Sequence, residues 1–145
     1  MAIQRIGQIL VDLGFVDDDQ LEMLLEEQTR NPGEKLGRIS IDMGLITEDQ
    51  LSLALAEQMG MQVVSLAEVE IPEEAIAAVT PEMAELYRVI PVKLEENVLT
   101  LATCDPQNLS MQDELRRFLG FDIRLLVASE SQILKAIDKF FNQDV

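Results

Sequence analysis

The chain has 145 residues, a formal net charge of −16, one cysteine (Cys104) and no histidine. This length holds one domain or two small ones, and the acidity disfavours non-specific binding to nucleic acid and to anionic membrane surfaces. A single cysteine excludes an intrachain disulfide framework and a cysteine-cluster zinc site, and the lack of histidine removes the commonest metal ligand and general base.

The first predicted elements form a tandem repeat. The stretch Arg5–Gln28, RIGQILVDLGFVDDDQLEMLLEEQ, recurs thirty residues later as Lys35–Gln58, KLGRISIDMGLITEDQLSLALAEQ. Apolar residues spaced like those of one helix face predict a first helix in each copy, and a second helix follows a tight corner. Two copies are too few for a solenoid, so the repeat predicts a compact helical unit with an approximate internal two-fold.

Most of the repeat is explained by helix-terminating and helix-capping residues. Gly14 suits the left-handed position after a helix, and Gly44 is its equivalent in the second copy. Asp17 and Thr47 are predicted N-caps, each followed three residues later by glutamine in the spacing of a capping box. These positions therefore need only a structural explanation.

Three pairs of positions are not explained in this way. Glycine inside a helix costs about 1 kcal/mol relative to alanine, yet a glycine stands at the same helical position in both copies. Its recurrence predicts that another group approaches the backbone closely there. The alternative is close helix–helix packing, with solvated basic and amide ends. The pairs are Gly7 and Gly37, Arg5 and Lys35, and Gln28 and Gln58.

The basic residues of the first sixty positions are scarce and clustered. Twelve acids accompany only four basic residues, which are Arg5, Arg30, Lys35 and Arg38, all at or near the start of a repeat. Cations gathered at two related places predict an anion-binding site. Equally, these cations can simply pair with neighbouring carboxylates such as Glu34, since exposed ion pairs are common and weak.

The second part of the chain mixes helices and strands. We predict first a strand over 61–66 and then two short helices, opened by Pro72 and Pro81. A hairpin of two strands follows from Val89 to Cys104, with its turn at Glu95–Asn97. The last predicted elements are a helix from Asn108 or Ser110 to Gly120, a strand over Phe121–Val127, and a helix capped by Ser129 and Gln132. The chain is therefore predicted to be α+β. A four-helix unit of two tandem helix-turn-helix repeats (residues 1–60) precedes a small subdomain with a three- or four-stranded sheet (residues 61–145).

No catalytic motif is present in the sequence. There is no GxxxxGK[ST] phosphate loop, no nucleophile elbow and no histidine for a triad. The Asp17–Asp19 run is explained by capping and the helix dipole, and it lacks the spacing of a calcium loop. Paired carboxylates for acid–base chemistry are left open, because no spacing singles out a pair. The first ten residues lack a signal-peptide core and no stretch is long enough to span a membrane, so we expect a cytoplasmic, non-enzymatic protein without a metal or cofactor.

Each repeat has a basic residue, an apolar residue and glycine in succession, a second glycine seven positions later, and a final L-x3-L-x2-Q. This repeated pattern resembles the MshEN domain. That family forms the N-terminal regulatory region of type II secretion and type IV pilus assembly ATPases. The run from Pro81 to Pro91, the stretch LTLATCDP from Leu99 to Pro106, and the final helix also resemble this region. The resemblance covers nearly the whole chain.

The resemblance implies that the tandem motif binds cyclic di-GMP, a two-fold-symmetric dinucleotide, with one half-site in each repeat. It implies that Arg5 and Lys35 contact guanine or phosphate, that Gly7 and Gly37 admit the ligand to the backbone, and that Gln28 and Gln58 close the site by hydrogen bonds. Asp105 would accept from a guanine edge. Apolar walls and corners would come from Ile6, Leu10, Val11, Gly14, Phe15, Val16, Leu36, Ile41, Gly44, Leu45 and Ile46.

The sequence departs from the family pattern at four places. Lys35 stands where arginine is usual and cannot form the bidentate fork, and Ser40 replaces an aliphatic residue. Phe15 is bulky at an aliphatic position, and the six-residue spacer between the copies looks one residue longer than usual. The alternatives to ligand binding are an adaptor of the same fold that docks onto secretion or pilus machinery, and a purely structural assembly subunit. The chain ends where the ATPase would begin, so a fragment and a free-standing protein both remain open.

Overall fold

The computed structural model describes residues 5–141, and its contacts divide the chain after Gly60 into two compact units. The described part of the first unit consists of four helices in two helix–corner–helix pairs. Their bounds are α1 Ile6–Asp12, α2 Asp18–Arg30, α3 Leu36–Asp42 and α4 Glu48–Met59. The predicted tandem helical repeat is confirmed.

The corners of the two repeats form as the sequence predicts. Asp17 accepts a hydrogen bond from the backbone N–H of Gln20, whose side chain accepts from the N–H of Asp17, and Thr47 forms the same reciprocal box with Gln50. Gly14 and Gly44 have φ of +78° and +75°, the left-handed conformation that a β-carbon penalises. Both corners are therefore set by local interactions.

The helices of the two repeats pack crosswise. The short helix α1 packs against α4 of the other repeat, and α3 packs against α2 in the same manner. This exchange produces the approximate internal two-fold and one shared core. The buried side chains of that core are Ile9, Leu10, Val16, Leu24, Leu36, Ile39, Ile46 and Ala54.

The second unit contains a three-stranded sheet and four helices within the described residues. Strand β1 pairs antiparallel with β2, and β2 pairs parallel with β3, so β2 is central. Glu96 and Asn97 both have positive φ, as a tight hairpin turn requires, and the predicted hairpin is confirmed. The elements are α5 Glu73–Ala77, α6 Pro81–Tyr87, β1 Val89–Glu95, β2 Val98–Thr103, α7 Leu109–Leu119, β3 Asp122–Val127 and α8 Glu130–Phe141.

Three details of the second unit differ from the sequence prediction. The predicted strand over 61–66 is wrong, because only Val63 forms a bridge, to Val127 at the end of β3. Pro72 caps α5 instead of lying in its first turn. Ser129 begins α8 as predicted, but the Gln132 side chain accepts from the N–H of Leu66 and so serves a distant backbone group. This long-range hydrogen bond ties the segment before α5 to α8.

The core of the second unit lies between the sheet and its helices. Ile90, Leu99, Leu101, Leu115 and Ile133 are among its fully buried side chains. Between residues 5 and 141, no helix is both long and apolar enough to cross a bilayer.

Candidate functional site

Leucines cover the two helical glycines of the repeat. A β-carbon on Gly7 would lie 2.7 Å from Cδ1 of Leu21 in α2 and 3.0 Å from Cδ2 of Leu36 in α3. A β-carbon on Gly37 would lie 2.6 Å from Cδ1 and 3.1 Å from Cδ2 of Leu51 in α4. Both glycines are buried. Side chains of the protein itself thus make the close approach, so the structure favours the packing alternative for these glycines.

The same contacts bring the starts of the two repeats together. Arg5 and Lys35 are the N-cap residues of α1 and α3, both with extended backbone and both exposed. Gly7 lies two residues after Arg5, and Leu36, which reaches over it, directly follows Lys35. The first turns of α1 and α3 therefore meet, and each is preceded by a basic residue.

Gln28, at the end of the first repeat, reaches the start of the second. Its Nε2 donates a hydrogen bond to the backbone carbonyl of Glu34 at 3.3 Å, one residue before Lys35. A carbonyl oxygen can only accept, so the amide nitrogen must face it, and Oε1 of Gln28 remains as an acceptor. The closing glutamine of the first repeat thus bonds to the residue that directly precedes the basic residue of the second repeat.

The apolar residues expected to line a ligand site differ in accessibility. Ile6, Val11, Phe15, Ile41 and Leu45 are half-buried and lie on the surface of the core. Leu10 is fully buried, with 0% of its surface exposed, and Val16, Leu36 and Ile46 are also buried. These four therefore belong to the core and present almost no surface to a ligand. The corner residues Gly14 and Gly44 are exposed, and Gln58 is half-buried.

Ser40 occupies the buried position that Leu10 fills in the first repeat. Its side chain is fully buried, and its hydroxyl donates to the carbonyl of Leu36 at 2.8 Å. This bond within α3 satisfies the hydroxyl, so a serine is tolerated in the core. The two repeats consequently have different interiors beneath equivalent surfaces.

Leu25 belongs to the leucine pattern of the repeat, which predicts a scaffold residue, yet 46% of it is exposed. It lies three residues before Gln28 and four after Leu21, which places all three on one side of α2. Leu25 thus lies between the core residue Leu21 and the Gln28 amide, and it offers apolar surface beside that amide. Helical spacing alone could not separate it from Leu24, which is completely buried.

Asp105 belongs to the second unit. It follows β2, is half-buried, and donates its backbone N–H to Oγ1 of Thr103 at 3.0 Å. Burial, followed by the nearby carboxylates of Glu130 and Asp105, raises the pKa of the adjacent Cys104 thiol above its ordinary value. A thiol held protonated is a poor nucleophile. Within residues 5–141, no cluster of three histidine, cysteine, aspartate or glutamate side chains could hold a metal ion.

Comparison with known proteins shows which family the chain resembles. The family model for the MshEN domain matches residues 59–145, more than half of the chain. The chain belongs to the MshEN domain family. The match covers the second unit of this MshEN chain, so the family is established by the α+β part, whereas the repeated motif lies in the first unit.

Two relatives extend the likeness over the first unit. The MshEN chain is 33% identical over 137 residues to the type IV pilus assembly ATPase PilB of Myxococcus xanthus (strain DK1622). It is 29% identical over 140 residues to PilB of Thermus thermophilus. The alignments cover 94% and 95% of this chain but only 24% and 16% of the relatives. The MshEN chain therefore corresponds to less than a quarter of either ATPase.

Solved structures share the whole architecture, including the helical repeat. The structure of MshE with cdg (cyclic di-GMP) superposes with a TM-score of 0.85 at 29% identity, covering 95% of this chain and 99% of that one. The N-terminal domain of XpsE superposes with a TM-score of 0.77 at 22% identity, covering 94% of each chain. The second likeness shows the fold alone. Together they confirm the α+β class and the four-helix unit of this MshEN domain.

Proposed function

We propose that the chain is a non-enzymatic, cyclic di-GMP-binding regulatory module that acts in the cytoplasm with secretion or pilus machinery. One observation carries this proposal. Leu36 at the start of α3 contacts Gly7 in α1, and Gln28 bonds to Glu34 directly before Lys35, which supports a shared site for the basic starts of both repeats and one closing amide. A solved relative of the same architecture, MshE, contains the ligand.

The chemistry of the residues at this proposed site fits a dianionic dinucleotide. Arg5 and Lys35 are exposed cations in a unit that is otherwise rich in acids, so they supply local attraction for phosphate or for the acceptor edge of guanine. The exposed part of Leu25 and the half-buried Phe15 offer apolar surface to bases and riboses. Oε1 of Gln28 can accept from a guanine N–H or a ribose hydroxyl.

The two halves of the proposed site are unequal. Arginine at position 5 can bind guanine O6 and N7 through two parallel hydrogen bonds, whereas the ammonium of Lys35 acts as a point charge. The Gln28 amide joins the Lys35 side to the first repeat. We therefore expect the Arg5 side to contribute more to affinity and the Lys35 side to depend on the connection between the repeats.

The test is a calorimetric titration of the chain with cyclic di-GMP, combined with thermal melting. A ligand that binds only the folded state raises the melting temperature in proportion to the logarithm of its concentration above Kd. Cyclic di-AMP serves as the matched control, because it has the same phosphates and ring but lacks the guanine edge. Binding of cyclic di-GMP alone supports the proposal. The absence of both heat and a thermal shift at high micromolar ligand contradicts it.

Protein docking is the second candidate function, and one observation favours it. Leu13 and Met43 are equivalent in the two repeats and are 40% and 38% exposed, and the equivalent pair Met23 and Leu53 is 51% and 49% exposed. Exposed apolar side chains at both members of each pair offer a contact surface for a protein. If the titration shows no ligand, this adaptor function becomes the better explanation of the fold.

A further inference from the structure

A closed ring of hydrogen bonds holds the connection between the two repeats. The Gln28 carbonyl accepts from the N–H of Asn31 at 3.2 Å, and the Asn31 carbonyl accepts from the N–H of Glu34 at 3.1 Å. The Glu34 carbonyl then accepts from the side-chain amide of Gln28 at 3.3 Å, which closes the ring. The Asn31 side chain also donates to the carbonyl of Glu27, so the turn is anchored to the last turn of α2.

The ring acts on the residue that follows it. Glu34 is bonded through its N–H and its carbonyl, so the two peptide units on either side of its Cα are each held by one hydrogen bond, and the second of them leads into Lys35. Lys35 is the N-cap of α3, and its carbonyl accepts from the N–H of Ile39 at 3.1 Å. The backbone of Lys35 is therefore held on both sides, so the Cα from which its long side chain extends has a defined position.

We propose that Gln28 is the positioning residue of the Lys35 half-site, which it controls through this ring and not only through contact with ligand. The inference rests on the proposed cyclic di-GMP site. A site whose groups are already in place loses less conformational freedom on binding, so the ring contributes to affinity by pre-organising Lys35. Opening the ring should weaken binding because Lys35 is no longer pre-organised, even though its charge is retained.

The test uses Gln28→Met, which keeps the length and helix propensity of the side chain but cannot donate to Glu34. A neutral hydrogen bond corresponds to a change of roughly three- to tenfold in Kd, and we expect a loss of that size for cyclic di-GMP. In a Lys35→Ala background the same substitution should cost clearly less, because the residue to be positioned is gone and only the direct contact of the Gln28 Oε1 with the ligand is still lost. Gln8→Met is the matched control, since Gln8 is an exposed helical glutamine whose amide donates within its own helix, to Asp12.

A second measurement needs no ligand. Amide hydrogen exchange at Glu34 should accelerate by roughly threefold or more in Gln28→Met, because its N–H lies within the opened ring. Exchange at Gly44, whose N–H donates to Ile41 at the other end of α3, is the internal reference and should not change.

The outcomes separate the two proposals. An unchanged exchange rate at Glu34 overturns the positioning role whether or not ligand binds. An equal fold-loss of affinity on Gln28→Met with and without Lys35→Ala also overturns it, because Gln28 would then act independently of Lys35. If the unsubstituted chain binds no cyclic di-GMP, the proposed function fails, and an accelerated Glu34 exchange would then show that the ring is only a structural staple.

Discussion

Leu21 lies directly over Gly7, so that a β-carbon at residue 7 would approach Cδ1 of the leucine to 2.7 Å. Leu51 covers Gly37 in the same way in the second repeat. This relationship gives each helical glycine a function in packing, because the two helices of a repeat can meet at this distance only without a side chain between them. Packing by itself therefore accounts for glycine at these positions, and access of a ligand to their backbone stays a prediction.

The first prediction is that Gly37→Ala destabilises the chain. The new methyl group would lie 2.6 Å from Cδ1 and 3.1 Å from Cδ2 of Leu51, so the leucine side chain must shift against its neighbours to accept it. Overpacking typically costs 1–3 kcal/mol and the gain in helix propensity offsets about 1 kcal/mol, so we expect a net loss of about 1 kcal/mol. Urea denaturation followed by circular dichroism measures it.

The control for this prediction is a second background in which the effect of Gly37→Ala on stability should reverse its sign. In a Leu51→Ala background the obstacle is gone, so Gly37→Ala should become stabilising by up to about 1 kcal/mol. Gly7→Ala should behave like Gly37→Ala, because Leu21 and Leu36 both contact its site. A stabilising Gly37→Ala in the unmodified chain would show that the leucine moves freely and would contradict the packing explanation.

The second prediction concerns the corners, where glycine is needed for a different reason. At Gly14 no other group lies within 4 Å of the point where a β-carbon would stand, so Gly14→Ala creates no collision. The φ of +78° is nevertheless unfavourable for alanine, and we expect a loss of about 1 kcal/mol or more in the free energy of unfolding. Gly14→Asn should cost less, since asparagine tolerates this conformation. Equal losses for the two substitutions would exclude the backbone explanation.

The third prediction tests the inequality of the two basic residues. Arg5→Ala should weaken cyclic di-GMP binding by about 1–3 kcal/mol, the usual value of a bidentate guanine contact, and Lys35→Ala by less. Lys35→Arg should strengthen binding, because it supplies the missing fork. Both residues are exposed, so the melting temperature without ligand should hardly change and provides the control. A larger loss at Lys35 than at Arg5 would reverse the proposed order of the half-sites.

The fourth prediction uses the only tyrosine of the chain, Tyr87, as a reporter of the second unit. Its hydroxyl donates to Glu114 at 2.5 Å, and this hydrogen bond, with burial and the carboxylate charge, raises the pKa of the phenol above its ordinary value. Because the folded-state pKa is raised, the bond stabilises the fold from neutral pH up to about pH 10 and is lost as pH rises through the raised pKa.

Alkaline titration of the phenol absorbance measures the pKa of Tyr87 directly. The midpoint should lie above about 10 in the folded chain and return to about 10 in urea. Glu114→Gln should lower the folded midpoint toward that value, since the negative charge and the charge-assisted bond are removed. A folded midpoint at the ordinary value or below it in the unsubstituted chain would show that the bond does not persist in solution.

Interactions between residues close in the chain were predictable because one short segment contains all their partners. The capping boxes at Asp17 and Thr47 each join residues three positions apart, and the left-handed φ of Gly14 follows from the helix that ends there. The hairpin turn at Glu96 and Asn97 is likewise local. The segment over 61–66 was mispredicted because the pairing of a strand depends on distant residues, and only Val127 is available to it.

For the candidate site, the sequence indicated residues but not the contacts that they make. Equivalent residues in the two copies drew attention to Arg5, Gly7 and Gln28, and repetition is visible in one dimension. Which residue each of them meets depends on how the helices cross. Leu25 is a further example, because its helical spacing predicts a position beside the core but not that nearly half of its surface is exposed.

The sequence by itself determined the helices of the repeat, their caps and corners, the positions of the three strands along the chain and the family resemblance. Each of these depends on local interactions or on patterns along the chain. Only the tertiary structure decided that leucines fill the space above Gly7 and Gly37, and that the Gln28 amide reaches Glu34 and thereby the second repeat. These are contacts between helices. Their geometry is set by the crosswise packing of α1 with α4 and of α2 with α3, which minimises the exposed apolar surface of all four helices together.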